Sequence, residues 1–149
     1  MVLLSGAASS FFLVRELEKR VANTRALCRL LRICTVQVEY FARSAGDILL
    51  NCDVLLLREC GFHGEKTPNT FLEFFCSCEI LCEESREIML EFGNDFGKNY
   101  RDEQVRRCKY YTEQIAAQEA ALSAALPTQR KLAVALSVSL TLAVVILLV

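Results

Sequence analysis

Charge is missing from both ends of this sequence. No Lys, Arg, Asp or Glu precedes Arg15 or follows Lys131. Ends of that kind are not ordinary solvated surface, and they bracket a charged middle. Proline occurs only at 68 and 127, and glycine is absent between positions 7 and 45. With neither breaker present, a long first helix is permitted. There is one histidine, His63, and none of the eight cysteines forms a CxxC pair. Zinc needs four converging ligands, commonly paired in that way, so a zinc centre is not indicated. The formal net charge of −1 excludes the basic footprint of a nucleic-acid binder. No second strand-like run accompanies "FLEFFCSC", so a sheet is not expected.

What is there begins at the C-terminal end. Residues Leu132–Val149, "LAVALSVSLTLAVVILLV", carry no charge. As a helix this run is about 27 Å long, close to a hydrocarbon core of about 30 Å. Its polar members are Ser137, Ser139 and Thr141, which in a helix bond a preceding carbonyl. A buried core helix is the competing reading. A small domain rarely buries so long an apolar run, so a membrane span is expected over 131–149. Nothing is expected beyond the far membrane face.

The N-terminal segment 1–14, "MVLLSGAASSFFLV", is short and partly polar. It lacks the positive region and the cleavage pattern of a signal peptide. Two readings stay open: a partial or interfacial membrane segment, or the first turns of a long helix packed in the core. Arg15, Lys19, Arg20 and Arg25 follow it, and Arg130 and Lys131 precede the C-terminal run. By the positive-inside rule the middle, 15–130, is cytoplasmic. Cytosolic thiols stay reduced, so the cysteines are expected as packed small apolar groups rather than disulfides.

Helical periodicity organises the middle. Val14, Leu17, Val21, Leu27, Cys28, Leu31, Cys34, Val38 and Phe41 form an apolar stripe over about 10–43. A second helix is expected over 46–58. A loop at 59–69 follows, with Thr67 or Asn69 capping a third helix over 70–92 and Pro68 in its first turn. That helix is apolar on most sides and belongs at the centre of a bundle. A fourth helix, about 102–126, carries Val105, Cys108, Ile115, Leu122 and Leu126 with Tyr111 beside them, and Pro127 kinks it or separates it from the anchor. The fold class is therefore all-α: an antiparallel helical bundle with a C-terminal transmembrane helix.

Three candidate sites stand out. In a helix Cys78 and Cys82 share a face, while Cys76 points elsewhere; packed thiols are a better reading than metal ligands. His63 lies between glycines without an orienting partner or nucleophile, so it reads as an exposed loop residue. In "EFGNDFGKNYRDEQ", 91–104, Gly93 and Gly97 resemble a phosphate cradle. The Walker pattern requires GxxxxGK[ST] after a strand, and here the spacing is GxxxG after a helix. A turn is the better reading, with Gly93 as a left-handed cap and Phe92 and Phe96 pinning both ends. No catalytic, cofactor-binding or metal-binding residue is assigned.

The turn Phe92, Gly93, Phe96, Gly97, the following Gln104, the long amphipathic helix and the terminal apolar anchor resemble stage III sporulation protein AB, a family of endospore-forming Firmicutes. "LVRELEKRVANTRALCRLLRI" resembles its basic, leucine-rich first helix, and "QVEY" its next segment, so the likeness runs over nearly the whole chain. The chain departs where the family has Asp shortly after the second glycine: Tyr100 stands there, with Asp102 displaced. The family is similar to the inner-membrane platform proteins of type II secretion and type IV pili. The resemblance implies a non-enzymatic scaffold in the channel complex between mother cell and forespore. It would lie in the cell membrane on the mother-cell side. Its partners would be the lipid bilayer, other channel membrane proteins and a secretion-type ATPase like stage III sporulation protein AA. No cofactor, small-molecule substrate or nucleic acid is implied. The alternatives are a generic tail-anchored adaptor and, less favoured, a cysteine-based metal or redox protein.

Overall fold

The computed structural model describes residues 3–148, with side chains over 11–147; Met1, Val2 and Val149 lie outside the described residues. Six helices follow one another: α1 Leu3–Phe41, α2 Ala45–Asn51, α3 Val54–Glu59, α4 Phe71–Ser77, α5 Glu83–Asp95 and α6 Arg101–Leu148. Among the described residues there is no strand, and the expected all-α class holds. The chain forms two compact units, one of residues 22–119 and one of residues 1–21 with 120–149.

Within the unit 22–119, α1 and α6 run antiparallel. Arg25 pairs with Glu119 at 2.8 Å near one end, and Lys109 pairs with Glu39 at 3.7 Å near the other. The core lies between these helices and the short ones. Leu27, Leu30, Leu31 and Cys34 of α1 meet Cys108, Tyr111 and Ile115 of α6 in one buried cluster with Phe71, Phe74 and Phe75 of α4. The α1 stripe is buried from Val21 to Val38, but Phe41, expected in it, is exposed. The helix ends at that residue: Ala42 turns into the left-handed region (φ 47°), and the stripe has no next turn to continue on.

Two expected helices are each divided. The run 46–58 breaks at Cys52–Asp53 because the Asp53 carboxylate accepts from the Leu55 amide at 3.0 Å and starts a new helix as its N-cap. Ser44 caps α2 in the same way, accepting from the Asp47 amide at 3.2 Å. The run 70–92 breaks at Cys78–Cys82. Cys78 forms an isolated antiparallel bridge with Phe62, and the Glu79 amide donates to the Gly61 carbonyl at 2.9 Å. The Leu81 amide donates to Asn23 Oδ1 at 3.1 Å. Tertiary partners replace the helical bonds of that turn. The cap of α4 is Thr70, which accepts from the Glu73 amide at 3.2 Å, rather than Thr67 or Asn69. The placement of this segment at the centre holds, since Phe71, Phe74 and Phe75 are fully buried.

In the other unit, α1 begins at Leu3, so the described part of segment 1–14 is the start of the long helix. Of its described side chains, Phe11, Phe12 and Leu13 are exposed. Glu18 accepts from Arg130 at 2.5 Å within the same unit. Pro127 neither ends α6 nor separates it from the apolar run; the helix is continuous from Arg101 to Leu148.

Candidate functional site

The segment between α5 and α6 is tied by both aromatic packing and a side-chain hydrogen bond. Phe92 is buried, and Phe96 packs on Phe71 and Phe92 at ring distances of 4.7 and 5.5 Å. Both rings pin the turn as expected. Of the two glycines, Gly93 serves a different purpose from the one expected. Gly93 does not cap the helix; it lies inside α5. A Cβ there would stand 2.8 Å from the Leu72 amide nitrogen, so Gly93 is needed for the close approach of α5 to α4. The left-handed residue is Gly97, with φ 84° and open space where a Cβ would be.

Gln104 closes the turn. Its Oε1 accepts from the Gly97 amide at 2.8 Å, and its Nε2 faces Cys108 Sγ at 3.8 Å. Gln104 is only 5% exposed, so this bond gives its buried side-chain oxygen a partner. A second tie was not foreseen from the pattern. Arg107 donates to Asp95, and the Tyr111 hydroxyl donates to the same carboxylate oxygen at 3.3 Å. Burial, followed by the nearby Asp95 and Glu91 charges, pushes the Tyr111 phenol up to about 12. The i, i+12 and i, i+16 separations of these pairs carry no helical signal.

Beside the turn lies a cavity of about 390 Å³. Val38, Phe71 and Phe96 supply apolar wall, and Arg43, Asn99 and Arg101 supply polar wall. The Arg43 guanidinium sits over the Phe41 ring at 5.4 Å from its centroid, and Arg101 donates to the Glu39 carbonyl. No Asp or Glu lines the cavity. No His, Cys or Lys lines it either.

The cysteines do not converge. Among the described residues no group of three or more His, Cys, Asp or Glu is placed to hold a metal. All eight thiols are free; six are buried, Cys52 is half-buried and Cys76 is exposed. Cys78 and Cys82, expected on one helical face, instead bracket the break between α4 and α5. Burial pushes Cys34, Cys60 and Cys108 up, and Cys78 up to about 12, so these stay as packed thiols at neutral pH. His63 is exposed in its loop.

In the other unit, α6 is long and apolar enough to cross a membrane. Leu132, Val134, Leu136 and Val138 expose their side chains, as do Leu142 and Val145 to Leu147; Ala133 is buried. Arg130 and Lys131, at the start of this stretch, are exposed. Ser137 Oγ donates to the Val134 carbonyl at 2.8 Å and Thr141 Oγ1 to the Ser137 carbonyl at 2.9 Å. The hydroxyls are thus satisfied within the helix, which an apolar surrounding requires.

A family model, stage III sporulation protein AB, matches residues 72–149. The chain belongs to the stage III sporulation protein AB family. The match holds α4, α5, the glycine turn, Gln104 and all of α6; the resemblance read in the first helix lies outside it. No curated protein and no solved structure matches the chain. Membership in the stage III sporulation protein AB family gives the chain a role in sporulation, and the apolar run of α6 is consistent with membrane association.

Proposed function

We propose that this stage III sporulation protein AB family member is a non-enzymatic membrane platform. It couples a secretion-type ATPase, like stage III sporulation protein AA, to the channel between mother cell and forespore. The bundle faces the mother-cell cytoplasm, and residues 131–149 anchor it. One observation carries this reading: the family's matched segment runs from the bundle helices through an apolar stretch whose side chains lie exposed. Exposed aliphatic side chains around a helix need an apolar surrounding, and a bilayer provides one. The cluster Arg15, Lys19, Arg20, Arg130 and Lys131 supports the cytoplasmic side. No Asp, Glu, His, Cys or Lys lines the cavity beside the turn, which suits a scaffold.

The test is co-purification of the detergent-extracted chain with a secretion-type ATPase from the same sporulating cells. Stoichiometric recovery is expected. If the ATPase is not retained, and loss of the protein leaves spore formation intact, the reading fails. Orientation has its own probe in Cys76, the exposed thiol. An impermeant maleimide should label it only after permeabilisation; labelling of intact protoplasts would place the bundle on the other side.

A further inference from the structure

We infer that the cavity beside the 96–100 turn is a docking site for an acidic, apolar peptide segment of a partner protein. This deepens the platform reading and rests on it for the partner being a protein, though not for which protein. Three observations carry it.

The first is charge. Arg43 and Arg101 line the cavity, and no carboxylate does. Some arginines of this bundle are paired with an acid, as Arg25 is with Glu119 and Arg29 with Glu59. Arg43 instead rests on an aromatic face, and Arg101 binds a backbone carbonyl. Neither contact neutralises the guanidinium. A planar guanidinium in that state suits a carboxylate, which it binds through two parallel N–H donors.

The second is shape. The wall formed by Val38, Phe71 and Phe96 is apolar, and the volume is about 390 Å³. That accommodates one or two aliphatic side chains rather than a helix. Gly97, with nothing within 4 Å of its Cβ position, leaves room for an approaching backbone.

The third is the rim. Tyr40 and Phe41 precede the lining residue Ala42 in sequence, Phe41 directly, and Tyr100 adjoins Asn99 and Arg101. They are 69%, 60% and 94% exposed. Exposed aromatics and arginines around an apolar pocket are the composition of a protein-binding centre, and aromatic exposure of this kind is unfavourable unless it is covered in use. The chain reversal at Ala42, a non-glycine residue held at φ 47°, forms part of the wall. Strain of this kind is retained where the surrounding structure has a use for the geometry.

The experiment uses the full chain in nanodiscs of neutral lipid. The probe is a rhodamine-labelled peptide alternating Leu and Glu, compared with the same peptide bearing Gln for Glu, read by fluorescence anisotropy. The Glu peptide should bind at least about tenfold more tightly than the Gln peptide. Arg43→Glu should weaken the Glu peptide by about tenfold or more, whereas Arg86→Glu, on α5 and outside the cavity, should not weaken it. The Arg43 guanidinium rests on a ring face at the surface, so its variant is expected to melt as the parent does. Equal binding of the two peptides, no binding of either, or equal effects of the two substitutions would overturn the inference. So would binding that needs anionic lipid in place of peptide. Capture of the secretion-type ATPase separates the two claims. If the ATPase is not captured yet the Glu peptide binds and depends on Arg43, the cavity stands and the ATPase coupling falls.

Discussion

Gln104 Oε1 and the Gly97 amide, seven residues apart, form a 2.8 Å hydrogen bond that closes the turn between α5 and α6. Gln104 is buried, and the glycine at the other end of the bond, exposed on the turn, holds a left-handed conformation. The side chain therefore does for the turn what a helix cap does: it satisfies an amide that no backbone carbonyl serves.

Gln104→Leu should remove that acceptor while keeping the volume. A hydrogen bond of this kind contributes about 0.5–1.5 kcal/mol. Thermal unfolding of the detergent-solubilised chain, followed by circular dichroism, should show a lowered midpoint. Gln104→Glu, which keeps an acceptor, should lose less near neutral pH. Equal losses in both variants would show that the Gly97 bond is not what matters.

Gly93 and Gly97 should respond differently to substitution. At Gly93 a methyl group meets backbone atoms of Phe71 and Leu72, the nearest at 2.8 Å. Relief requires α5 and α4 to separate, and overpacking of this sort costs about 1–3 kcal/mol. At Gly97 there is space, and the cost of alanine is the left-handed backbone, about 1–2 kcal/mol. Asn tolerates that region, so Gly97→Asn should recover most of the loss, whereas Gly93→Asn should be worse than Gly93→Ala. The four midpoints, measured side by side, decide it; recovery by Asn at position 93 would contradict the packing account.

Asn23 should be a larger stability determinant than its single polar side chain suggests. It is buried; its Nδ2 donates to the Glu59 carbonyl at 3.0 Å and its Oδ1 accepts from the Leu81 amide at 3.1 Å. Asn23→Ala leaves both groups without that partner, at about 0.5–1.5 kcal/mol for each hydrogen bond lost. Hydrogen exchange should quicken at Leu81 in particular. An unchanged Leu81 amide would mean that its protection comes from elsewhere.

Alkaline pH should destabilise the bundle. Burial holds the Cys78 thiol up to about 12 against an ordinary 9.0, and the Tyr111 phenol up to about 12 against 10.0. In the unfolded chain both release their protons at the ordinary values. Unfolding then releases protons, and stability, fully present below pH 9, falls as pH rises through the folded values. Melting midpoints should decline above about pH 9. Tyr111→Phe should flatten the part above about pH 10. A flat profile across this range would show that neither group is shielded from solvent.

Several elements were legible in the amino-acid order because they depend on neighbours along the chain. The α1 stripe from Val21 to Val38 repeats at helical spacing and is buried on that face. The apolar run after Lys131 is helical and exposed, as an uncharged segment of that length implies. Phe92 and Phe96 anchor the turn where expected. The breaks at Cys52–Asp53 and Cys78–Cys82 were harder to read. Asp53 has the chemistry of a cap, yet the apolar residues on either side of it conceal the signal. At Cys78–Cys82 no local residue breaks the helix at all.

What the order of residues determined alone is the helical class, the long first and last helices, the charged middle and the apolar end. Each follows from propensity and periodicity acting over a few turns. Tertiary structure decided which glycine turns and which one packs, since Gly93 and Gly97 differ only in what faces them: Leu72 in one case and open space in the other. It also decided that the helix stops at Cys78, where Phe62, Gly61 and Asn23 outbid the next helical turn for its backbone groups. The cavity flanked by Arg43 and Arg101 is of the same kind. Its walls come from positions 38 to 104 of the chain, and only folding brings two arginines together with no carboxylate between them.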